Sequence, residues 1–200
     1  FCMNDEDVCC NAAREEIIRR YYYALCNLAE KGSNENEVNK LALIMKQAKL
    51  TTDYRRTTVA AHERKELSGV ATAAIELQDG TIITSRTSSL LGPSAALILN
   101  ATKYLAGIPH HVQLIPEEMI APIQKTKVSF LHGHNPRLHT DEVLIALSAT
   151  AANNEEAALA LEQLPKLRNC QVHSTVMLSS VDLKIFKKLM CDVTCDAKSK

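Results

Sequence analysis

The dipeptide Asp79-Gly80 constrains the fold most, because it lies between two short segments with β-strand character. Residues 73–77 precede it and the β-branched run 81–85 follows it, a pattern that predicts a hairpin closed by a two-residue turn. Beyond the hairpin, helical and strand-like patterns alternate to the end of the chain. Such alternation is typical of an α/β fold in which helices cover both faces of a mostly parallel sheet.

The boundaries of these later elements follow from apolar spacing and from breaking residues. Helices are predicted at 93–106, at 116–124, from Thr140 to about 164 with a break at Asn153-Asn154, and at 182–190. Strands are predicted at 112–115, 127–131, 171–178 and 192–195. Gly92 and Pro93 fit the cap and the first position of their helix, and Thr140 fits the N-cap of the next long one.

The first third of the chain has helical periodicity instead. Three helices are predicted at 5–31, 35–49 and 53–67, with Gly32 as a stop and Ser33-Asn34 as a turn. We therefore expect a helical subdomain at residues 1–68 and a three-layer α/β domain at residues 69–200.

Composition restricts the partners. The 23 basic and 23 acidic residues balance, so no net charge favours nucleic acid or an anionic membrane surface. No apolar run has the length of a bilayer crossing. The acidic start lacks both Met and a signal peptide, which predicts a piece of a longer chain. The seven Cys lie mostly in apolar segments, as buried thiols of a cytoplasmic protein do.

The first candidate site is the hydroxyl-rich stretch at residues 87–94, between a strand and a helix. Its residues with a possible anion-binding role are Thr87, Ser88, Ser89, Gly92 and Ser94. Free backbone N–H groups at the helix start could hold a phosphate or a carboxylate there. A capped turn with no ligand explains the same residues.

The second candidate site is the polar loop at residues 132–139. Asn135 and Arg137 could bind an anion, since a guanidinium clamps such groups with two hydrogen bonds. His139 could transfer protons near neutral pH. A metal site of His132, His134 and His139 would lack a thiolate or a well-spaced fourth ligand, so we favour a pocket wall.

The third candidate involves Cys170, His173, Cys191 and Cys195, whose spacing has a weak likeness to a zinc site. Alternation along a strand puts Cys170 and His173 on opposite faces, which favours buried thiols instead. We predict no metal ligands and no cofactor. His173 near the end of an inner strand is a better pocket residue, because open α/β sheets bind ligands at such ends.

Five segments together resemble the bacterial family called domain of unknown function 1846. They are residues 16–22 (EIIRRYY), 87–92 (TSSLLG), 135–147 (NPRLHTDEVLIAL), 161–167 (LEQLPKL) and 172–176 (VHSTV). The resemblance implies a carboxyl-terminal part that follows a domain with a phosphate-loop-like stretch. It also implies a cytidine-deaminase-like topology, although residues 94–96 and 116–119 lack the zinc ligands of deaminases.

Two functional hypotheses follow. In the first, a pocket binds an anionic, for example phosphorylated, small molecule through the anion-binding residues above, with His139 and His173 as proton-transfer residues. In the second, the chain is a non-catalytic assembly or regulatory module for the amino-terminal domain of the same protein. We expect a homo-oligomer in either case. The first hypothesis requires the loops after Ser85, Leu131 and Val172 to converge on one cavity.

Overall fold

The computed structural model describes residues 5–32 and 35–198, and within them helices surround one sheet. The helices are α1 (Glu6–Lys31), α2 (Glu35–Gln47), α3 (Arg56–Ser68), α4 (Pro93–Leu105), α5 (Glu117–Lys125), α6 (Thr140–Ala151), α7 (Glu155–Leu161) and α8 (Ser180–Lys188). The strands are β1 (Thr72–Glu76), β2 (Ile82–Arg86), β3 (Gln171–Ser174) and β4 (Asp192–Cys195). The turn predicted at Ser33-Asn34 lies outside the described residues.

The α/β class is confirmed, but the prediction of a mostly parallel sheet was wrong. The sheet has the order β2-β1-β3-β4, and β1 runs antiparallel to both of its neighbours. Only the β3–β4 pair is parallel. The sheet is therefore mixed, and its β1–β2 hairpin is part of it rather than an addition to a parallel core.

Two predicted strands, at residues 112–115 and 127–131, are absent from the described residues. A lysine side chain explains the absence of the first. Residues 112–115 form a loop, in which Lys103 donates from Nζ to the carbonyl oxygens of His110 and Val112. These carbonyls are satisfied by an ammonium group instead of by a neighbouring strand.

Residues 127–131, the other missing strand, continue α5 as a π-helical turn at Thr126–Phe130. The Leu131 N–H donates to Thr126 O at 3.0 Å, and the Gly133 N–H donates to Lys127 O at 2.8 Å. The backbone groups that a strand would offer to a sheet are used within this turn.

The hairpin is where the sequence predicts it, but its loop is longer. The Leu77 N–H donates to Thr81 O at 2.9 Å, so the loop comprises Gln78, Asp79 and Gly80 instead of two residues. Gly80 has φ 81°, the left-handed conformation that closes three-residue hairpin loops.

Helices cover both faces of the sheet. On one face, Ile75 and Val172 pack in an apolar cluster with Leu97 and Ile98 of α4 and with Phe186 of α8. The opposite face contacts α1 and α3 through the residues described below. No described helix combines the length and the apolar character that a bilayer crossing requires.

Local signals predict most ends of the amino-terminal helices, although α2 ends at Gln47 instead of residue 49 and α3 begins at Arg56 instead of residue 53. Asp5 caps α1 by accepting a hydrogen bond from the Val8 N–H at 3.1 Å, and Gly32 ends it with φ 62°. Gly69 ends α3 with φ 69°. The division of the chain at residue 68 stays a prediction.

Candidate functional site

Two of the predicted loops lie side by side and form what we call the Ser88–Arg137 seam, residues 88–92 and 135–138. Leu91 and Leu138 form an isolated parallel bridge. The Leu138 N–H donates to Leu90 O at 2.9 Å, and the Gly92 N–H donates to Leu138 O at 3.2 Å. The stretch before α4 and the loop before α6 are thus one structural unit.

Arg137 lies across this seam. Its Nε donates to Ser88 O at 2.7 Å, and its own carbonyl accepts from Lys127 Nζ at 2.7 Å. Lys127 also pairs with Glu142 at 2.7 Å, so the lysine charge is neutralised. Within the described part of the chain, the Nη1 and Nη2 groups of the exposed Arg137 have no partner.

The other predicted anion-binding residues differ in what they can still donate. The Thr87 hydroxyl donates to Ala71 O at 2.9 Å, and the Gly92 N–H is used by Leu138. Ser94 is buried in the first turn of α4. Ser89 is exposed, and Asn135 accepts the Arg137 N–H at Oδ1 while its amide group stays available.

His139 lies next to the seam as the N-cap of α6, a position predicted for Thr140. Its N–H donates to Glu142 Oε2 at 2.8 Å. Its Nδ1 lies 3.5 Å from Asp182 Oδ2, and Asp182 Oδ1 accepts from the Thr140 N–H at 3.1 Å. The buried Asp182 of α8 therefore orients both the start of α6 and the imidazole.

His173, the other predicted proton-transfer residue, does not lie at the seam. It is 0% exposed, on the sheet face that carries Ala74 and Thr194 rather than on the face packed against α4. Its ring contacts Tyr22 of α1 and His62 of α3, at centroid distances of 4.9 Å and 5.4 Å. The expectation that all three loops line one cavity is therefore corrected: two meet, and His173 lies on the other side of the sheet.

His173 belongs to a second cluster instead, with His62 and Asp196, which we call the His–His–Asp cluster. Asp196 Oδ1 lies 3.3 Å from His173 Nε2, and Asp196 Oδ2 lies 3.1 Å from His62 Nε2. The ligand-type atoms of the three side chains all lie within 4.8 Å of one another. Neither His62 nor Asp196 stands in a recognisable motif, and 134 positions separate them in the chain. No signal in the sequence identifies this site.

The electrostatic environment of this cluster gives His173 and Asp196 different charge states. Burial lowers the pKa of His173, outweighing the opposite effect of Asp196, so its imidazole is neutral at neutral pH. Burial also disfavours the charged form of Asp196, but its contacts with His173 and His62 prevail and lower the pKa of this carboxyl to about 2. The cluster thus combines an ionised carboxylate with a neutral imidazole.

A buried ion-pair network lies on the same side of the sheet. Arg55 is 0% exposed, and its Nη1 contacts Glu15 at 2.9 Å and Asp192 at 3.1 Å. Burial raises the pKa of Glu15 even though Arg55 opposes that shift. Arg55 therefore connects α1, the start of α3 and β4.

The thiols follow the prediction in part. Cys170 and Cys195 are buried, whereas Cys10 is exposed. Cys170 packs with the α4-facing cluster, away from His173, as strand alternation predicted. The Sγ atoms of Cys26 and Cys195 lie 3.5 Å apart, and burial is the largest cause that raises the pKa of Cys191 to about 12. Cys170 and Cys195 are core residues, and the partly buried Cys26 and Cys191 pack against the same cluster.

These observations first define a class: an α/β protein with a mixed sheet, a polar seam and a buried His–His–Asp cluster. The chain matches the family described as domain of unknown function DUF1846, its carboxyl-terminal model over residues 53–200 and its amino-terminal model over residues 1–49. The chain belongs to the DUF1846 family, which confirms the resemblance.

Curated relatives agree with this assignment. A UPF0371 protein of Corynebacterium urealyticum is 47% identical over 197 residues, which are 98% of this chain and 40% of that protein. A UPF0371 protein of Streptococcus pyogenes is 43% identical over 196 residues, again 98% of this chain and 40% of the relative. The chain thus spans about two fifths of the length of these relatives. Their names state no reaction or ligand.

Proposed function

We propose that this chain binds a small anionic ligand, such as a phosphorylated metabolite, at the Ser88–Arg137 seam. The observation that carries the proposal is the docked guanidinium of Arg137. Its Nε–H is used by Ser88 O, while its Nη1 and Nη2 donors have no partner in the described ranges. A guanidinium held in this way offers its remaining donors as a preoriented fork for a carboxylate or phosphate.

Neighbouring donors support the same ligand class. The Ser89 side chain is exposed, and the Asn135 amide group is available because only its Oδ1 is used. Thr87, Gly92 and Ser94 would hold the shape of the seam, since their donors are used within the chain or buried. His139, oriented by Asp182, is the residue we propose for proton transfer if the ligand reacts.

The test is a thermal-shift titration of the full chain with inorganic phosphate at constant ionic strength, then with phosphate monoesters. A ligand that binds the folded state at 100 times its Kd raises the stability by about 2.7 kcal/mol. We expect a saturable shift that Arg137→Gln abolishes. Arg64→Gln, which removes an exposed arginine on α3, is the matched control and keeps the shift. A shift that survives Arg137→Gln refutes the site.

A second candidate function is a contact surface for another domain or a second copy of the chain. The observation that favours it is apolar exposure beside the seam: Phe130 is 67% exposed and Leu131 is 72% exposed. Large apolar groups that lie together in solvent are typical of interaction surfaces.

Leu131→Asp separates the two candidates. If this segment is a contact surface, the Leu131→Asp variant loses its partner. Light scattering then shows a smaller assembly for the variant than for the unchanged chain. Anion binding is unaffected by the substitution, because Leu131 does not lie in the seam. An unchanged assembly state excludes Leu131 from an interface between copies of the chain.

Three further predictions remain part of this proposal. The first is that the order of elements is cytidine-deaminase-like. The zinc chemistry of deaminases is not part of this prediction, because residues 94–96 and 116–119 lack their zinc ligands. The relatives are longer than this chain, and we propose that a phosphate-loop-like domain elsewhere in the full-length protein acts together with this part. The cytoplasmic location inferred from the thiols also stays a prediction.

A further inference from the structure

The His–His–Asp cluster has a feature that packing alone does not explain. His173 Nε2 is fully buried and has no hydrogen-bond partner in the described structure, although it lies 3.3 Å from Asp196 Oδ1. A buried nitrogen left without a hydrogen bond costs free energy. We propose that His62, His173 and Asp196 bind a divalent transition-metal ion, with zinc as the best match.

The positions of the donor atoms fit such an ion. Zinc binds imidazole nitrogen and carboxylate oxygen at about 2.0–2.2 Å, so two tetrahedral ligand atoms lie about 3.3 Å apart. His62 Nε2 and His173 Nε2 lie 3.1 Å and 3.3 Å from carboxylate oxygens of Asp196. Both His–Asp separations therefore match an edge of a zinc tetrahedron, and the three ligand atoms lie within 4.8 Å of one another, so binding would draw them closer around the ion.

The hydrogen bond made by His173 Nδ1 determines whether His173 Nε2 is free to bind a metal ion. Nδ1 lies 2.9 Å from Thr194 Oγ1, and that hydroxyl donates its proton to Val172 O at 3.3 Å. With its proton on Val172 O, the hydroxyl accepts from Nδ1–H, and in that tautomer Nε2 keeps a lone pair. Histidines that bind metals are typically oriented by such a hydrogen bond from their second nitrogen.

In that tautomer the lone pair on Nε2 faces the carboxylate of Asp196, an arrangement that a cation bound between them would stabilise. Two imidazoles and a carboxylate form a donor set suited to zinc, iron or nickel rather than to calcium or magnesium, which prefer oxygen ligands.

Access and coordination number also fit. The His62 side chain is 40% exposed, so an ion can enter from the α3 side while His173 remains enclosed. Three protein ligands leave a coordination position for water, as in zinc sites that perform chemistry. The ion would also connect α3 to the end of β4, because its ligands come from both.

The test is a zinc titration of the chelator-treated full chain in competition with a chromophoric zinc indicator. We expect one zinc per chain. His62→Ala is the main variant, because its partly exposed side chain can be removed without opening the core. The zinc affinity should fall at least about 10-fold, since even residues that only orient a ligand change affinity by that much.

Two further variants complete the experiment. Asp196→Asn keeps the shape of the side chain and should lower affinity to a similar extent with an unchanged circular dichroism spectrum. His134→Ala removes an exposed histidine outside the cluster and should leave the affinity unchanged.

Cobalt(II) tests the identity of the ligands. Nitrogen and oxygen ligands give weak visible bands, whereas cysteine ligands add intense charge-transfer absorption. An unchanged zinc affinity in His62→Ala overturns the proposal, and cobalt spectra with thiolate absorption overturn it by assigning the metal to cysteines. A stoichiometry well below one zinc per chain also overturns it.

Discussion

Arg55 is the most deeply buried charge in the described residues, and its partners come from two distant parts of the chain. Its Nη1 contacts Glu15 and Asp192, and its Nη2 donates to Asp192 O at 3.3 Å. A buried ion pair of this kind contributes little beyond an apolar replacement of equal shape, but the loss of one partner leaves charges uncompensated. Arg55 therefore affects stability mainly because its removal would leave the charges of Glu15 and Asp192 uncompensated.

We expect Arg55→Met to destabilise the fold by about 3 kcal/mol, because Glu15 and Asp192 would then face each other without a cation. Arg56→Met is the matched control, since that arginine is 59% exposed in its pair with Glu76 and should cost less than about 1 kcal/mol. Urea unfolding measures both. Equal losses in the two variants would contradict the role of Arg55.

Lys103 provides a pH-dependent test. Burial lowers its pKa from the ordinary value of 10.5, so the unfolded chain binds this proton more tightly than the folded chain does. Stability must then rise with pH between the lowered value and 10.5. Relative to Lys103→Met, the unchanged chain should gain stability over that interval in urea unfolding at a series of pH values. Lys125→Met, at an exposed site, should retain the rise; a rise retained by Lys103→Met refutes the assignment.

Among the secondary-structure elements, the β1–β2 hairpin has a backbone requirement that a substitution at one residue can test. Gly80 has φ 81°, and a Cβ at this position would meet only Arg56 Nη1, at 3.7 Å. That distance is an ordinary contact, so the need for glycine comes from the backbone and not from lack of space.

Gly80→Ala should therefore destabilise the hairpin by about 1–2 kcal/mol, the cost of a left-handed L-residue. Gly80→Asn should cost less, because asparagine tolerates this conformation better. The urea midpoints of the two variants give the comparison. If alanine and asparagine behave alike, the strain is not in the backbone of the loop.

In the whole molecule, the helices before residue 68 are attached to the sheet at several points. α3 provides His62 to the His–His–Asp cluster, and Arg55 connects α1 with β4. Tyr22 of α1 contacts the ring of His173 in β3. These contacts are buried or partly buried, and each involves parts of the chain that are distant in sequence.

We consequently expect residues 1–68 and 69–200 to unfold together, in one transition by both calorimetry and tyrosine fluorescence. Arg55→Met removes the connection between α1 and β4. Of all single substitutions, we expect this one to separate the calorimetric midpoint from the optical midpoint. Two separate transitions in the unchanged chain would show that the helical part is independently stable.

The sequence by itself determined the local elements. Glycine at left-handed positions, helix caps and apolar spacing placed the α1 and α4 helices, the hairpin and β4, because these signals act over a few residues. The meeting of the two seam loops was also anticipated, although the loop before α6 follows a π-helical turn and not the strand that was predicted there. Their polar residues are dense enough to be recognised without coordinates.

Only the tertiary structure decided how the strands pair and where His173 lies. Strand direction depends on which distant partner satisfies each backbone group, and Lys103 and the π-helical turn removed two strands that local pattern supported. The His–His–Asp cluster joins α3, β3 and the end of β4. Contacts between residues more than 100 positions apart leave no periodic trace in a single sequence, so they become visible only when the chain is folded.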